Sequence, residues 1–283
     1  KAGAALRTKE IFVNLRETLR RYNFSFSKRY GQNFISEPQL LHAIASAGAQ
    51  SGDTVVEVGA GAGTLTAALC DLGANVTAFE IDERLRPVLE ETLAGKNASV
   101  IFADVMKYDI SNLDLGKYRV VANLPYYITT PVIFRFLYDE NLLSLTIMVQ
   151  KEVAERICAS AGTPEYGALS AQMQVMGNVR IVRNVPRSMF YPVPDVDSAV
   201  VRLDIAPKAE KEILPAYKKT VAAAFAMRRK TLANNLAAAF GIVKPLAEEL
   251  AEKVSGNRAA RGETLTCEQF IQLSRLIKDG GRA

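Results

Sequence analysis

The run Thr54-Val55-Val56-Glu57-Val58-Gly59-Ala60-Gly61-Ala62-Gly63-Thr64 decides the fold of this chain. Its first five residues are mostly β-branched and apolar, the pattern of a strand buried on both faces. Glycines at alternate positions then end the strand before a helical run begins at Thr64. Strand, glycine turn and helix in that order open a βαβ unit whose ligand lies beyond the carboxyl end of the strand. The G-x-G-x-x-G fingerprint of dinucleotide sites would need its third glycine at position 64, where this chain has Thr, which argues against hydride transfer. The acid ahead of the glycines, Glu57, instead gives E-x-G-x-G, a pattern of S-adenosylmethionine sites.

Outward from this run the alternation continues. Asn75 to Glu80, Ser99 to Ala103, Tyr118 to Ala122 and Leu145 to Val149 read as further buried strands, with helices over Thr64 to Leu72, Glu83 to Leu93, Pro131 to Tyr138 and Lys151 to Ser160. The class is α/β, a parallel Rossmann-like sheet covered on both faces. Val179 to Val185 and Ser198 to Ile205 are joined by the proline-rich Pro186 to Pro194, too short for a crossover helix, which predicts an antiparallel pair at a sheet edge. Upstream, Ser36-Glu37-Pro38-Gln39 has the form of a capping box opening a helix that ends near Gly48, with Lys28 to Phe34 a loop leading into it.

Beyond Pro207 strand signals stop, and helices are expected over Leu214 to Phe225, Thr231 to Phe240, Pro245 to Val254 and Glu268 to Ile277. Three parts follow: residues 1–22, a basic helical extension with Ile11, Phe12, Leu15 and Leu19 facing inward; residues 23–206, the Rossmann-like domain; and residues 207–283, an all-helical domain.

With 283 residues, 49% hydrophobic and 23% charged, the chain can bury a large core. No run approaches eighteen consecutive apolar residues, and the first 22 residues interleave charges with hydrophobics, so neither a membrane span nor a secretory segment is expected, and a cytoplasmic location is. Cys70, Cys158 and Cys267 lie far apart and His42 is the single histidine, so no zinc site, other metal or disulfide framework is expected. Histidine-based acid–base catalysis has only His42 to draw on. Group transfer from an activated donor, which needs no imidazole, suits the composition. Residues 1–50 carry 8 Lys and Arg against 3 Asp and Glu, residues 51–206 carry 13 against 19, and residues 207–283 carry 14 against 8. Basic ends around an acidic centre suit a polyanion at the ends and a small molecule at the centre, or simply a solvated helical surface.

The remaining signals fall at strand ends. Glu80, closing the second strand of the series, can accept both hydroxyls of a ribose, and Asp104, following the third, the exocyclic amine of an adenine; each could equally be a helix cap or a solvated loop acid. Asn123-Leu124-Pro125-Tyr126 follows the fourth. Adenine N6 is a poor nucleophile because its lone pair is delocalised into the ring. The Asn123 side-chain oxygen and the Leu124 carbonyl can accept both amine hydrogens, Pro125 stiffens the turn, and Tyr126 offers a face for an extruded base. The plain alternative is a proline-containing strand-to-helix loop with a buried tyrosine.

Together, Gly31-Gln32-Asn33-Phe34, Glu57 to Thr64, Glu80, Asp104, Asn123 to Thr130, Phe190 to Leu203 and Arg228 to Leu232 resemble, in order, the motifs of the KsgA-type rRNA adenine dimethyltransferases, over about residues 22–277. The resemblance implies S-adenosylmethionine-dependent N6,N6-dimethylation of two adjacent adenosines in the helix 45 loop of 16S rRNA, in the pre-30S small subunit. It implies that Asn33 and Ile35 border the methionine end of the cofactor, Gly59 the turn beneath it, Glu80 the ribose, Asp104 the adenine and Asn123 the reacting amine. Phe190 becomes the second aromatic wall beside Tyr126, and Arg228, Arg229 and Lys230 part of the RNA-docking surface. Two departures concern pocket shape: Tyr127 stands where Asn often follows N-L-P-Y, and Ala60 and Ala62 replace the commoner Pro and Leu. Two rivals share the fold, an Erm-type 23S rRNA dimethyltransferase and a non-catalytic nucleic-acid-binding or assembly factor. Leu124, Pro131 and the Phe225 to Asn235 block favour the small-subunit branch, and the intact Glu57, Glu80, Asp104 and Asn123 favour an enzyme. No long heptad seam calls for a dimer, so a monomer is expected.

Overall fold

The computed structural model of the chain describes residues 15–27, 31–35 and 37–280. Its strands are Phe34–Ile35 (β1), Thr54–Val58 (β2), Asn75–Glu80 (β3), Ala98–Phe102 (β4), Tyr118–Asn123 (β5), Leu142–Gln150 (β6), Gly177–Val185 (β7), Phe190–Tyr191 (β8) and Ser198–Ile205 (β9). Seven of them form one sheet in the order β4-β3-β2-β5-β6-β9-β7. The pairs β4–β3, β3–β2, β2–β5 and β5–β6 are parallel, and β9 runs antiparallel to β6. The mixed sheet with helices is the α/β class that the strand–glycine–helix run implies, and β7 lies at the sheet edge beside β9, as the short proline-rich connection requires.

Strand reversal positions the site. Parallel strands bring their carboxyl ends to one edge, so Glu80, Phe102 and Asn123 end their strands there, with Glu80 opposite Phe102 and Asn123 opposite Met148. Because β9 is antiparallel, its first residue reaches that same edge, where Ser198 pairs with Gln150. The sheet interior is Val, Ile, Leu and Ala: Val55, Val56, Val120, Val121, Leu145 and Val201 are fully buried.

Several boundaries depart from the sequence reading for local reasons. The expected Glu83 to Leu93 helix divides into a 3₁₀ turn, Glu83–Leu85, capped by the Asp82 side chain, and an α-helix, Arg86–Thr92, whose first turn holds Pro87. Ser36 of the expected capping box lies outside the described residues; the helix Pro38–Gly48 has Glu37 at its N-cap with no side-chain capping bond. The loop expected over Lys28 to Phe34 instead ends in β1, which pairs antiparallel with β8, so Pro186 to Pro194 also contains a strand. Of the extension, Ile11 and Phe12 lie outside the described residues, whereas Leu15 and Leu19 are buried on the helix Leu15–Arg21. Among the described residues no helix is long and apolar enough to cross a membrane.

Two compact units divide the described chain: residues up to Ala154 with Arg180–Ile205, and Glu155–Val179 with the chain from Ala206 on. The second unit is helical. It contains Ala168–Met176, Leu214–Ala224, Leu232–Phe240, Lys244–Ser255 and Cys267–Gly280, around a core that includes the fully buried Tyr217, Leu232, Leu236, Leu265 and Phe270. The Tyr217 hydroxyl donates to the Ala171 carbonyl at 2.9 Å, which satisfies its polar end inside this core.

Candidate active site

The glycine turn after β2 is tied to its neighbour before it meets any ligand. The amides of Gly59 and Ala60 both donate to the Phe79 carbonyl, at 2.9 and 3.0 Å, and the Gly61 amide donates to Glu80 Oε2 at 2.7 Å. Gly61 has φ +56, and a Cβ there would stand 3.0 Å from the Phe34 ring, so both backbone conformation and space require glycine. Glu80 Oε1 accepts from the Ile81 and Asp82 amides at 2.9 and 2.8 Å. Burial pushes the Glu80 carboxyl above its ordinary value, against the pull of these three backbone donors.

These residues border a cavity of about 470 Å³ at the carboxyl edge of the sheet, within the range of small-molecule sites. Among the residues that line it are Glu57, Gly59, Glu80 and Asp104, together with Asn33, Ile35, Asn123, Leu124, Pro125, Tyr126 and Phe190. Glu57 is 1% exposed, and among the described residues neither of its carboxyl oxygens has a hydrogen-bond partner. Burial pushes its carboxyl up to about 8, opposed by the neighbouring Thr66 hydroxyl. Asp104 is less buried and accepts the Met106 amide on Oδ1 at 2.9 Å.

Long-range hydrogen bonds brace the segments that carry these residues. Asn123 Nδ2 donates to the Asn33 carbonyl at 3.1 Å, which commits the amide nitrogen and leaves Oδ1 as the acceptor. Gln32 accepts the Ser27 amide on Oε1 at 2.9 Å and donates from Nε2 to Asp82 Oδ2 at 2.8 Å. Asp82 is also clasped by Arg84, at 2.8 Å from Nε and 2.6 Å from Nη2. Although burial opposes it, these Arg84 and Gln32 bonds hold the Asp82 carboxyl below its ordinary value. The β1–β8 pair sets Ile35 opposite Phe190, so two residues far apart in sequence meet in register at the cavity. Tyr126 lies in the 3₁₀ turn Tyr126–Ile128, and its hydroxyl is 2.9 Å from Ser198 Oγ.

Residues 23–279 match the ribosomal RNA adenine dimethylase family. The chain belongs to that family. It is 40% identical over 272 residues to the ribosomal RNA small subunit methyltransferase A of Clostridioides difficile, covering 93% of this chain and 94% of that protein. It is 41% identical to the protein of that name from Bacillus mycoides, over 96% and 95% of the two chains. Among solved structures, a dimethyladenosine transferase from Plasmodium falciparum superposes with a TM-score of 0.73 at 27% identity, covering 87% of this chain and 98% of that one. The 23S rRNA methyltransferase ErmE superposes with 0.67 at 26%, covering 87% and 99%. As a ribosomal RNA adenine dimethylase family member, the protein is an S-adenosylmethionine-dependent rRNA methyltransferase.

The cavity fits that cofactor on its own chemistry. The buried Glu57 carboxyl, with no hydrogen-bond partner among the described residues, suits a cationic ligand, whose charge would favour loss of its proton. With three backbone donors on it, the braced Glu80 carboxylate retains one open site, on Oε2, for a hydroxyl donor, and the turn at Gly59 leaves room for close approach to the backbone. Sequence reasoning did not single out Gln32, Asp82 or Ser198. Gln32 lies within the G-Q-N-F motif, but its partner is 50 positions away.

Arg228, Arg229 and Lys230 lie in the helical unit, exposed in the turn between Leu214–Ala224 and Leu232–Phe240. Asn235 Nδ2 braces this turn by donating to the Ala224 and Met227 carbonyls at 2.8 and 3.2 Å. Arg228 donates to the Pro164 carbonyl at 3.4 Å, and Arg261 donates to the Arg228 carbonyl.

Proposed function

We propose that the protein dimethylates N6 of two adjacent adenosines in the helix 45 loop of 16S rRNA, in the cytoplasm, acting as a monomer on the pre-30S subunit. The observation that carries this reading is the Asn123 amide, held through its nitrogen so that its oxygen is the group left to accept, with Asn123 and the next residue, Leu124, both lining the cavity. Those two acceptors take the amine hydrogens of an extruded adenosine and favour a localised lone pair on N6. The names of relatives at 40% and 41% identity support the small-subunit substrate.

S-adenosylmethionine supplies an electrophilic sulfonium methyl when bound. Asn33 and Ile35 would border its methionine end, Gly59 the turn beneath it, Glu80 its ribose and Asp104 its adenine amine, and Glu57 would supply a negative charge for the cofactor's cationic groups once its proton is lost. Tyr126 and Phe190 hold the target ring and exclude water around it, and Asn123 and Leu124 orient the amine. Arg228, Arg229 and Lys230 meet RNA phosphates. No histidine is needed, because the amine can lose its proton after attack.

The test is to incubate the protein with labelled S-adenosylmethionine and either under-methylated small subunits or 23S rRNA, then map the modified base. Label on the paired adenosines of the small subunit is expected. Label on 23S rRNA alone would assign the protein to the Erm-type reading, and no transfer to either, with cofactor bound, to a non-catalytic factor.

A further inference from the structure

We propose that Ser198 is a positioning residue for base capture: its buried hydroxyl fixes the ring of Tyr126 and so sets the stacking wall offered to the target adenosine. This rests on the role given to Tyr126 above.

Tyr126 follows Pro125 in a short 3₁₀ turn, which fixes its backbone but not its side-chain torsions. A tyrosine side chain occupies one of a few staggered wells about its Cα–Cβ bond. The bond of 2.9 Å between the Tyr126 and Ser198 hydroxyls selects one. Burial raises the phenol above its ordinary value, so the pair stays neutral at physiological pH and either hydroxyl can donate.

Ser198 is suited to be the fixed end. It is fully buried and opens β9 opposite Gln150, at the sheet edge where β5 ends in Asn123. The residue before it is braced twice: the Asp197 carbonyl accepts the Lys151 amide at 3.0 Å, and Asp197 Oδ1 accepts the Arg187 amide at 2.9 Å. Among the described residues, the Tyr126 hydroxyl is the one side-chain partner of Ser198 Oγ. A buried serine whose hydroxyl served packing alone would not need to meet a ring at the cavity.

The same segment also carries Phe190, buried and lining the cavity. Phe190 to Ser198 therefore holds one aromatic wall and the post that sets the other. One stretch of chain fixes the gap into which a base must slide, and pre-setting that gap removes an ordering penalty from capture rather than from methyl transfer.

The experiment is single-turnover methylation of under-methylated small subunits by Ser198→Ala, Tyr126→Phe, the Ser198→Ala/Tyr126→Phe double variant and Tyr126→Ala, with cofactor affinity measured by calorimetry. Each hydroxyl deletion is expected to raise the half-saturating subunit concentration about threefold to tenfold, the range for one neutral hydrogen bond, with the maximal rate within about twofold. Cofactor affinity stays parental, and the double variant is no worse than either single, because both delete the same bond. Multiplying effects in the double variant, or a parental Ser198→Ala beside an impaired Tyr126→Phe, overturns the proposal. If Ser198→Ala does not fold, Tyr126→Phe decides alone, since it leaves the buried post intact: a raised half-saturating concentration sustains the proposal and a parental one overturns it. If Tyr126→Ala is itself unimpaired, the fault lies in the role given to Tyr126.

Discussion

Asn123 and Asn33, 90 positions apart, are joined by a hydrogen bond of 3.1 Å from the Asn123 side-chain nitrogen to the Asn33 carbonyl, which fastens the N-terminal segment to the end of β5. The bond gives the Asn123 amide a definite orientation, so an acid at this position is not an equivalent acceptor. Asn123→Ala should lower the single-turnover rate at saturating RNA about 10²-fold or more, with RNA affinity nearly unchanged, if its oxygen binds more tightly as N6 becomes tetrahedral. Asn123→Asp should be as poor, because a carboxylate oxygen would then face the Asn33 carbonyl. Parental rates for either variant would remove Asn123 from the chemistry.

Glu80 serves the loop as well as the ligand. Its three backbone donors come from Gly61, Ile81 and Asp82, so Glu80→Ala should weaken cofactor binding and also lower the melting temperature. The three backbone donors leave one acceptor site on the carboxylate, and one lost bond from a ligand hydroxyl to a charged acceptor is worth about 1.5 to 3 kcal/mol. Calorimetric titration and a thermal melt separate the two effects; unchanged cofactor affinity in a destabilised variant would mean that Glu80 only braces the turn.

The main sheet is legible in the sequence because each strand is a continuous β-branched run between turn residues, and buried parallel strands need nothing subtler. The β1–β8 pair is not, since two-residue strands such as Phe34–Ile35 carry no periodicity and find each other only through the tertiary fold. The helix Ala168–Met176 escapes notice for another reason: seven of its nine residues are buried, leaving no amphipathic stripe to read. In the site, the acids at strand ends are visible because topology gives those positions meaning. The braces are not, because Gln32 to Asp82 and Asn123 to Asn33 join segments whose proximity no local pattern encodes.

Glu57 predicts a pH dependence. Its carboxyl rises from 4.5 to about 8 on folding, so between those values the native state holds a proton that the unfolded chain has lost. Its contribution to stability is therefore full at low pH and declines as pH rises through about 8. The cofactor-free protein should melt at progressively lower temperature across that window, and Glu57→Gln should flatten the decline. If Glu57 meets a positive charge of the cofactor, binding near neutral pH should release a proton, seen as an enthalpy that varies with the ionisation heat of the buffer. An identical melting profile for Glu57→Gln would contradict the assignment.

Replacing Arg228, Arg229 and Lys230 together should reduce RNA affinity and flatten its salt dependence by about 0.7 to 0.9 log units for each phosphate no longer neutralised. The turn should survive, because Asn235 holds its backbone through the Ala224 and Met227 carbonyls. Cofactor affinity should be parental. A salt slope unaltered in the triple variant would reduce the patch to a solvated surface.

Gln32 offers the sharpest separation of cofactor retention from catalysis. Its side chain is a cross-brace, accepting from the Ser27 amide and donating to Asp82, whose neighbour in the chain is Ile81, the residue that follows Glu80. Removing it leaves Asp82 clasped by Arg84, so the β3 end should keep its shape while the segment carrying Asn33 and Ile35 loses one of its fastenings. Its other fastenings, the Asn123 bond and the β1–β8 pair, remain. Gln32→Ala should therefore leave the protein folded, release cofactor faster by up to about tenfold to a hundredfold, the range for one hydrogen bond to a charged group, and change the single-turnover rate at saturating cofactor and RNA little. Gln32→Glu should be worse than Gln32→Ala, because it sets a second carboxylate against Asp82. Stopped-flow displacement of cofactor reads the release rate directly. If release is parental in Gln32→Ala while the saturated rate falls, Gln32 acts on the reacting groups and the brace has been assigned to the wrong step.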